Sequence, residues 1–162
     1  MEGEDIYSYF GDIWLHSAKN PAEKEFLFSF RHYAKVLISP DEKWLVIKHR
    51  LGFAMIDAIL FKNVDGLKYK EVKYLNHMAW TLFRDTHKQY KLNEFIDTYV
   101  EAMEWSSDSK SILIQVNRHD ENSPKDTEPW YCIYDLTTDK MSLDFKRVFN
   151  RNTYQPSVND KD

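Results

Sequence analysis

One stretch of this chain decides its fold, Ser39-Pro40-Asp41-Glu42-Lys43-Trp44-Leu45-Val46-Ile47-Lys48, and it is repeated as Ser106-Ser107-Asp108-Ser109-Lys110-Ser111-Ile112-Leu113-Ile114-Gln115. The offset is constant, because 67 residues separate Asp41 from Asp108 and also Lys43 from Lys110. Each copy predicts a tight polar turn that leads into an apolar strand. In the first copy, Ser39 and Pro40 suit the first two positions of a type I turn. Such internal repetition is typical of proteins built from repeated structural units.

The composition indicates a globular protein. Of 162 residues, 43% are hydrophobic and 15% aromatic, which suffices for one buried core. The 22 basic and 26 acidic residues give a net charge of −4, which argues against nucleic acid as a ligand and fits docking onto a basic protein.

Cysteine usage and the N-terminal sequence bear on the compartment. Cys132 is the only cysteine, so we expect the cytoplasm, with the periplasm as the alternative if a signal peptide has been removed. The acidic start lacks the basic and apolar regions of a signal peptide. No apolar run approaches the ~20 residues of a membrane span.

Apolar spacing predicts the elements around the first turn. Residues 6–14 have a helical period and predict an N-terminal helix, whose apolar residues are Ile6, Tyr9, Phe10, Ile13 and Trp14. Strands are predicted at 25–31, 34–38 and 44–49, and Asp65-Gly66 predicts a further hairpin.

The two copies of the turn are farther apart than one four-stranded propeller blade of about 40–45 residues requires. The excess corresponds to helical periodicity, first with an apolar face at Val72, Leu75, Ala79, Leu82 and Phe83. A second helix begins at Asn93 and gives way to a strand near Tyr99.

The expected fold is therefore α+β, a single domain over residues 1–150 with a polar tail at 151–162. Two antiparallel propeller-like blades, in separate sheets, are expected at about 25–70 and 99–149, with a helical insert at about 71–98. Two blades cannot close a propeller, so we expect an open arrangement.

The first copy, from Ser39 to Val46, resembles the Ser-Pro-Asp-Gly-Lys-x-Leu-Ala repeat of TolB-type propellers and of the propeller domains of prolyl oligopeptidases. The second copy is similar and includes Trp105 before the turn. It has Ser107 in place of Pro, and the usual Gly is replaced by Glu42 and Ser109. The resemblance implies blade structure and no particular reaction, since propellers host many activities.

No pattern of residues predicts catalysis or a bound metal. No two of the six histidines are spaced as a metal-binding pair, and one cysteine cannot build a structural zinc site. There is no Gly-x-Ser-x-Gly nucleophile elbow and no glycine-rich phosphate loop. Cys132 lies within a strand, where a buried, inert thiol is expected. We therefore predict no enzymatic activity and no cofactor, with a carboxylate-dependent hydrolase as the alternative.

The candidate binding residues are acidic and fall in two segments, the loop 118–129 and the segment 94–104. The loop is longer than the 2–5 residues usual for a hairpin connection. The loop is either a plain flexible hairpin tip or a binding loop. The segment 94–104 is either a solvated helix face or an acidic docking surface. The predicted partner contacts are Asp120, Glu121, Asp126, Glu128, Trp130, Glu94, Asp97 and Glu101.

These features favour a non-enzymatic protein-binding module, monomeric when free, with neither nucleic acid nor membrane as a partner. The specific hypothesis is a bacterial immunity protein, an antitoxin that covers the active site of a cognate toxin. A small, acidic, aromatic-rich domain resembles in general terms the immunity proteins of contact-dependent growth inhibition systems, which include propeller-like forms. If the toxin is a basic nuclease, acidic loops would imitate the phosphates that it binds. The alternative is a TolB-like envelope accessory protein.

Overall fold

The computed structural model describes residues 10–52, 55–88, 97–119 and 129–145, with backbone alone for residues 97, 98, 118 and 119. Ten strands and the helix α1 (Asn76–Thr86) make up this part of the chain. The strands are β1 (Phe10–His16), β2 (Lys24–Arg31), β3 (Tyr33–Ile38), β4 (Trp44–Arg50), β5 (Met55–Asp65), β6 (Lys68–Tyr74), β7 (Asp97–Trp105), β8 (Ser111–His119), β9 (Trp130–Asp135) and β10 (Lys140–Ser142). The prediction of an α+β fold is therefore wrong, because the described chain is mostly β.

Eight of the strands form one open sheet in the order β10-β9-β8-β7-β5-β4-β3, with β6 also paired to β5. The sheet contains two antiparallel meanders, β3–β6, here called the first repeat, and β7–β10, the second repeat. A short parallel pairing joins them, with Met55 opposite Thr98 and Ile56 opposite Tyr99. The two repeats thus share a sheet, and the expectation of two separate sheets is wrong.

The two repeated turns have matching hydrogen bonds. Ser39 Oγ donates to Asp41 Oδ1 and Ser106 Oγ donates to Asp108 Oδ1, each over 2.7 Å. The same hydroxyls accept backbone N–H groups five residues later, at 3.0 Å in the first turn and 2.9 Å in the second. Both turns join adjacent antiparallel strands, as the sequence predicts, because this side-chain chemistry is local and survives the loss of Pro at position 107.

The residues that replace the glycine of the related repeats adopt its left-handed backbone. Glu42 has φ of 57° and Ser109 has φ of 60°, a region that costs a residue with a Cβ roughly 1–2 kcal/mol. Ser109 makes a contact that glycine cannot, since its Oγ accepts the backbone N–H of Asp41 at 3.0 Å. This hydrogen bond ties the second turn directly to the first.

The predicted N-terminal helix is wrong. From Phe10 onward the chain is strand β1, which pairs with β2 in a separate hairpin, and residues 6–9 lie outside the described residues. Side chains alternate along β1, so Ile13 faces the core while Phe10 and Trp14 are exposed. Gly11 permits the close packing of this hairpin, because a Cβ there would lie 2.5 Å from the ring of Phe30.

The helical insert is also shorter than predicted. Residues 71–74 belong to β6, and α1 starts at Asn76. Asn93 lies outside the described residues, and β7 is already extended at Asp97, before the predicted switch near Tyr99. Strand β2, placed in the first blade by the sequence, pairs instead with β1.

The core has two main parts on opposite faces of β4. On one face, Val46 belongs to a cluster with residues of α1 and of the second repeat. On the other face, Leu45 and Ile47 pack with Leu27 of the β1–β2 hairpin. The hairpin and the second repeat therefore flank the first repeat on opposite sides. No helix in the described ranges has the length and apolar character needed to cross a membrane.

Candidate partner-binding face

The second repeat carries a row of polar side chains across three neighbouring strands. Glu101 lies opposite Gln115, which in turn lies opposite Tyr131, and Tyr99 lies opposite Asn117. All five are half-buried. Because side chains alternate along a strand, the intervening residues point into the core instead. We call these five residues the polar face.

Charge is segregated between the two repeats. Residues 97–145 contain eleven acidic and four basic residues, a net charge of −7. Residues 33–74 contain five acidic and eight basic residues, a net charge of +3. The modest net charge of the whole chain therefore hides a strongly acidic second repeat, and such a surface attracts cationic partners over distances comparable with the Debye length.

Part of the acidic charge holds the repeats together. Lys48 of β4 pairs with Glu101 of β7, and the two side chains are only 20% and 16% exposed. Lys73 of β6 pairs with Asp139, which also accepts a hydrogen bond from the Tyr134 hydroxyl at 2.7 Å. The hydrogen bond from Lys73 keeps the pKa of Asp139 below its usual value. Glu101, predicted from the sequence as a partner contact, is thus engaged within the molecule.

Other carboxylates of the second repeat are held in their charged form. A hydrogen bond from Ser106 lowers the pKa of Asp108, and one from the Thr137 hydroxyl lowers the pKa of Asp135. Both therefore stay negative at neutral pH. Asp108 is exposed and Asp135 is half-buried, so their charges reach solvent and present fixed negative points to a partner.

Most of the other predicted contact residues fall outside the described residues, namely Glu94, Asp120, Glu121, Asp126 and Glu128. Asp97 opens β7 opposite His119, with its backbone alone described. Trp130 is 7% exposed and packs edge-to-face on Phe83 at 5.3 Å between ring centroids. Its ring is part of the core rather than of a surface.

The polar face lies beside the two strand ends between which the predicted binding loop runs in the sequence. Strand β8 ends at His119, two residues beyond Asn117, and the chain returns to the sheet at Trp130. Tyr99, Gln115, Asn117 and Tyr131 were not predicted as site residues. Gln115, Asn117 and Tyr131 alternate with apolar residues on β8 and β9, and this pattern is visible in the sequence. Only the strand register shows that they form one row with Tyr99.

No protein-family model matches this chain, and neither a curated protein nor a solved structure matches it.

A second polar group lies in the first repeat, on β4 and β5. His49 is 8% exposed and faces Asp57 across β4 and β5. Asn76, the first residue of α1, donates to Asp57 Oδ1 at 2.6 Å and accepts the backbone N–H of Ala58 at 2.9 Å. Burial lowers the pKa of His49 and raises that of Asp57. This group anchors the start of α1 to β5.

Two other possible sources of catalysis are the Cys132 thiol and a bound metal ion. Cys132 is buried, and burial raises the pKa of its thiol, so a thiolate nucleophile is disfavoured. Within the described ranges, no three side chains of His, Cys, Asp or Glu are grouped so that they could hold a metal ion. The arrangement that fits a function best is therefore the acidic second repeat with its polar face.

Proposed function

We propose that this protein is a non-enzymatic binding module, an immunity-type inhibitor that covers the active site of a basic toxin domain with its second repeat. The observation that carries the proposal is the segregation of charge, with −7 on residues 97–145 against +3 on residues 33–74. A basic partner would approach with the second repeat foremost, because the field of the molecule orients it before contact.

The polar face supplies contacts of the kind that protein interfaces use. Tyrosine is enriched at binding hot spots, and Gln115 and Asn117 offer both donors and acceptors beside it. Rows of side chains on paired strands are rigid, so little conformational entropy is lost when a partner binds. The acidic residues of the neighbouring loop, including Asp120 and Glu121, would take the place of substrate phosphates if the toxin is a nuclease.

The inhibitor would act in the cytoplasm, where a toxin domain that has entered the cell must be met. The single buried cysteine is compatible with a reducing environment. We propose a monomer in the free state, with the toxin domain as the partner and no cofactor.

A protection assay tests this function. The protein is expressed together with the product of each neighbouring gene that encodes a toxic domain, and cell survival is measured with and without it. We expect survival with one such gene and a stable complex on co-purification. If every neighbouring gene product is harmless, or if none of them is neutralised, the immunity proposal is wrong.

A further inference from the structure

The β1–β2 hairpin exposes a row of large rings that the proposed function does not use. Phe10 is 70% exposed, Trp14 45% and Phe26 49%. Trp14 and Phe26 are register partners and pack edge-to-face, with ring centroids 5.5 Å apart. We call Phe10, Trp14 and Phe26 the aromatic face. The hairpin uses its opposite side, which includes Leu27, to pack on the first repeat.

The aromatic face is cationic at both ends. Lys24 Nζ lies 5.1 Å from the centre of the Trp14 ring, and Arg31 lies over Phe10 at 4.9 Å. The carboxylate between them, Asp12, accepts a hydrogen bond from Ser29 at 2.7 Å. The turn that joins β1 to β2 adds the exposed cation Lys19 and the exposed carboxylate of Glu23. Positive charges around this face thus exceed negative ones by one, and a ligand that combines negative charge with apolar or aromatic groups suits it.

We propose that residues 1–9 of this same chain bind to the aromatic face. The segment reads Met-Glu-Gly-Glu-Asp-Ile-Tyr-Ser-Tyr and leads directly into Phe10. It lies outside the described residues. It has both required properties, since Glu2, Glu4 and Asp5 are acidic and Ile6, Tyr7 and Tyr9 are apolar or aromatic.

Length and direction are consistent with this placement. Nine extended residues span up to roughly 30 Å, and the six steps from Phe10 to His16 span roughly 20 Å. A segment that turns back at Tyr9 therefore reaches the far end of the hairpin. Its tyrosines then lie near Phe10 and Arg31, and its carboxylates lie near Lys24 and Lys19.

A spin label at position 3 tests the contact in the full-length protein. The variant Gly3→Cys carries one reactive thiol, because Cys132 is buried and its pKa is raised. We expect paramagnetic broadening of the Trp14 indole N–H resonance, which is assigned by its loss in Trp14→Phe. The broadening should fall to the unlabelled level when Lys19 and Lys24 are both changed to Glu.

Two controls separate this contact from other causes. Reversal of Lys62 and Lys68 to Glu changes the same amount of charge on the exposed surface of the first repeat and should leave the broadening intact. Changing Glu2, Glu4 and Asp5 to Lys in the Lys19→Glu/Lys24→Glu background should restore it. No broadening at Trp14 in the labelled native sequence contradicts the proposal. Broadening that vanishes when spin-labelled protein is diluted into protein without the spin label also contradicts the proposal, because the segment bound to the aromatic face then belongs to a second copy.

Discussion

Trp105 connects the two repeats through a single polar atom. Its ring is half-buried, and its indole Nε1 donates to the backbone carbonyl of Leu37 at 3.0 Å. Trp44 occupies a similar half-buried position, and its indole nitrogen makes no hydrogen bond among the described residues. A comparison of substitutions at the two positions therefore separates the effect of ring packing on stability from that of the hydrogen bond to Leu37.

The change Trp105→Phe should lower the free energy of unfolding by about 0.5–1.5 kcal/mol more than Trp44→Phe, because only the first removes a hydrogen bond, the part-buried one to the Leu37 carbonyl. Urea denaturation followed by circular dichroism measures both variants. Equal losses would show that the hydrogen bond to Leu37 contributes no stability.

His49 should make stability depend on pH. Burial keeps its pKa below the ordinary 6.5 in the folded state, so the unfolded chain binds more protons as pH falls below that value. Stability should therefore be greatest above pH 6.5 and decline below it, by at most about 1.4 kcal/mol per pH unit for this one group.

The variant His49→Gln should lack this part of the decline when the free energy of unfolding is measured at several pH values between 5 and 8. Asp57 is not mutated in this comparison. Burial raises its pKa above the ordinary 3.8, so its protonation favours the folded state as pH falls, which is opposite to the effect of His49. Parallel pH profiles of the native and variant proteins would show that His49 is not responsible.

At the scale of the elements, the repeated turns were predictable from sequence because their chemistry is local. Ser39 and Ser106 are both buried. Each hydroxyl donates to the Asp two residues later and accepts the backbone N–H five residues later. The helix predicted at 6–14 is wrong for the converse reason, because non-local strand pairing decides this segment. Ile13, Phe10 and Trp14 have helical spacing, but they lie on opposite faces of a strand, and pairing with β2 overrides the local pattern.

Ser39→Ala and Ser106→Ala should destabilise the protein by similar amounts, about 1–3 kcal/mol each. Each leaves an Asp carboxylate and a backbone N–H without the hydroxyl, and that N–H is part-buried at Trp44 and buried at Ser111. Ser29→Ala, which removes an exposed hydrogen bond to Asp12, serves as the control and should cost less. Thermal and urea unfolding would measure all three. A large effect at only one of the two turns would contradict their equivalence.

The Lys48–Glu101 pair links β4 to β7 and should be stronger than a surface ion pair. Removing one partner with Lys48→Met leaves a largely buried carboxylate, which should cost more than the ~1 kcal/mol of exposed pairs and less than the 3–5 kcal/mol of fully buried ones. The double variant Lys48→Met/Glu101→Leu should recover part of this loss. A double-mutant cycle with no coupling energy would show that the ion pair contributes nothing to stability.

For the whole molecule, the sequence shows the charge counts but not where the charges meet. The parallel pairing of β5 with β7 brings together residues more than 40 positions apart, and neither local propensity nor periodicity indicates it. The polar face depends on the same register, since Glu101, Gln115 and Tyr131 come from three different strands. The acidic charge of residues 118–129 was predictable from composition, but the row of tyrosines and amides beside the strand ends that flank this segment was not.

Association kinetics with the neutralised toxin domain test the central claim most directly, namely that the acidic second repeat is the docking surface. We expect Asp120→Lys/Glu121→Lys to slow association by roughly tenfold at low salt and to flatten its dependence on salt. Asp65→Lys/Glu71→Lys, which reverses two exposed charges on the first repeat, should leave both quantities close to those of the native protein. Equal association rates for the two variants at low salt would contradict the claim.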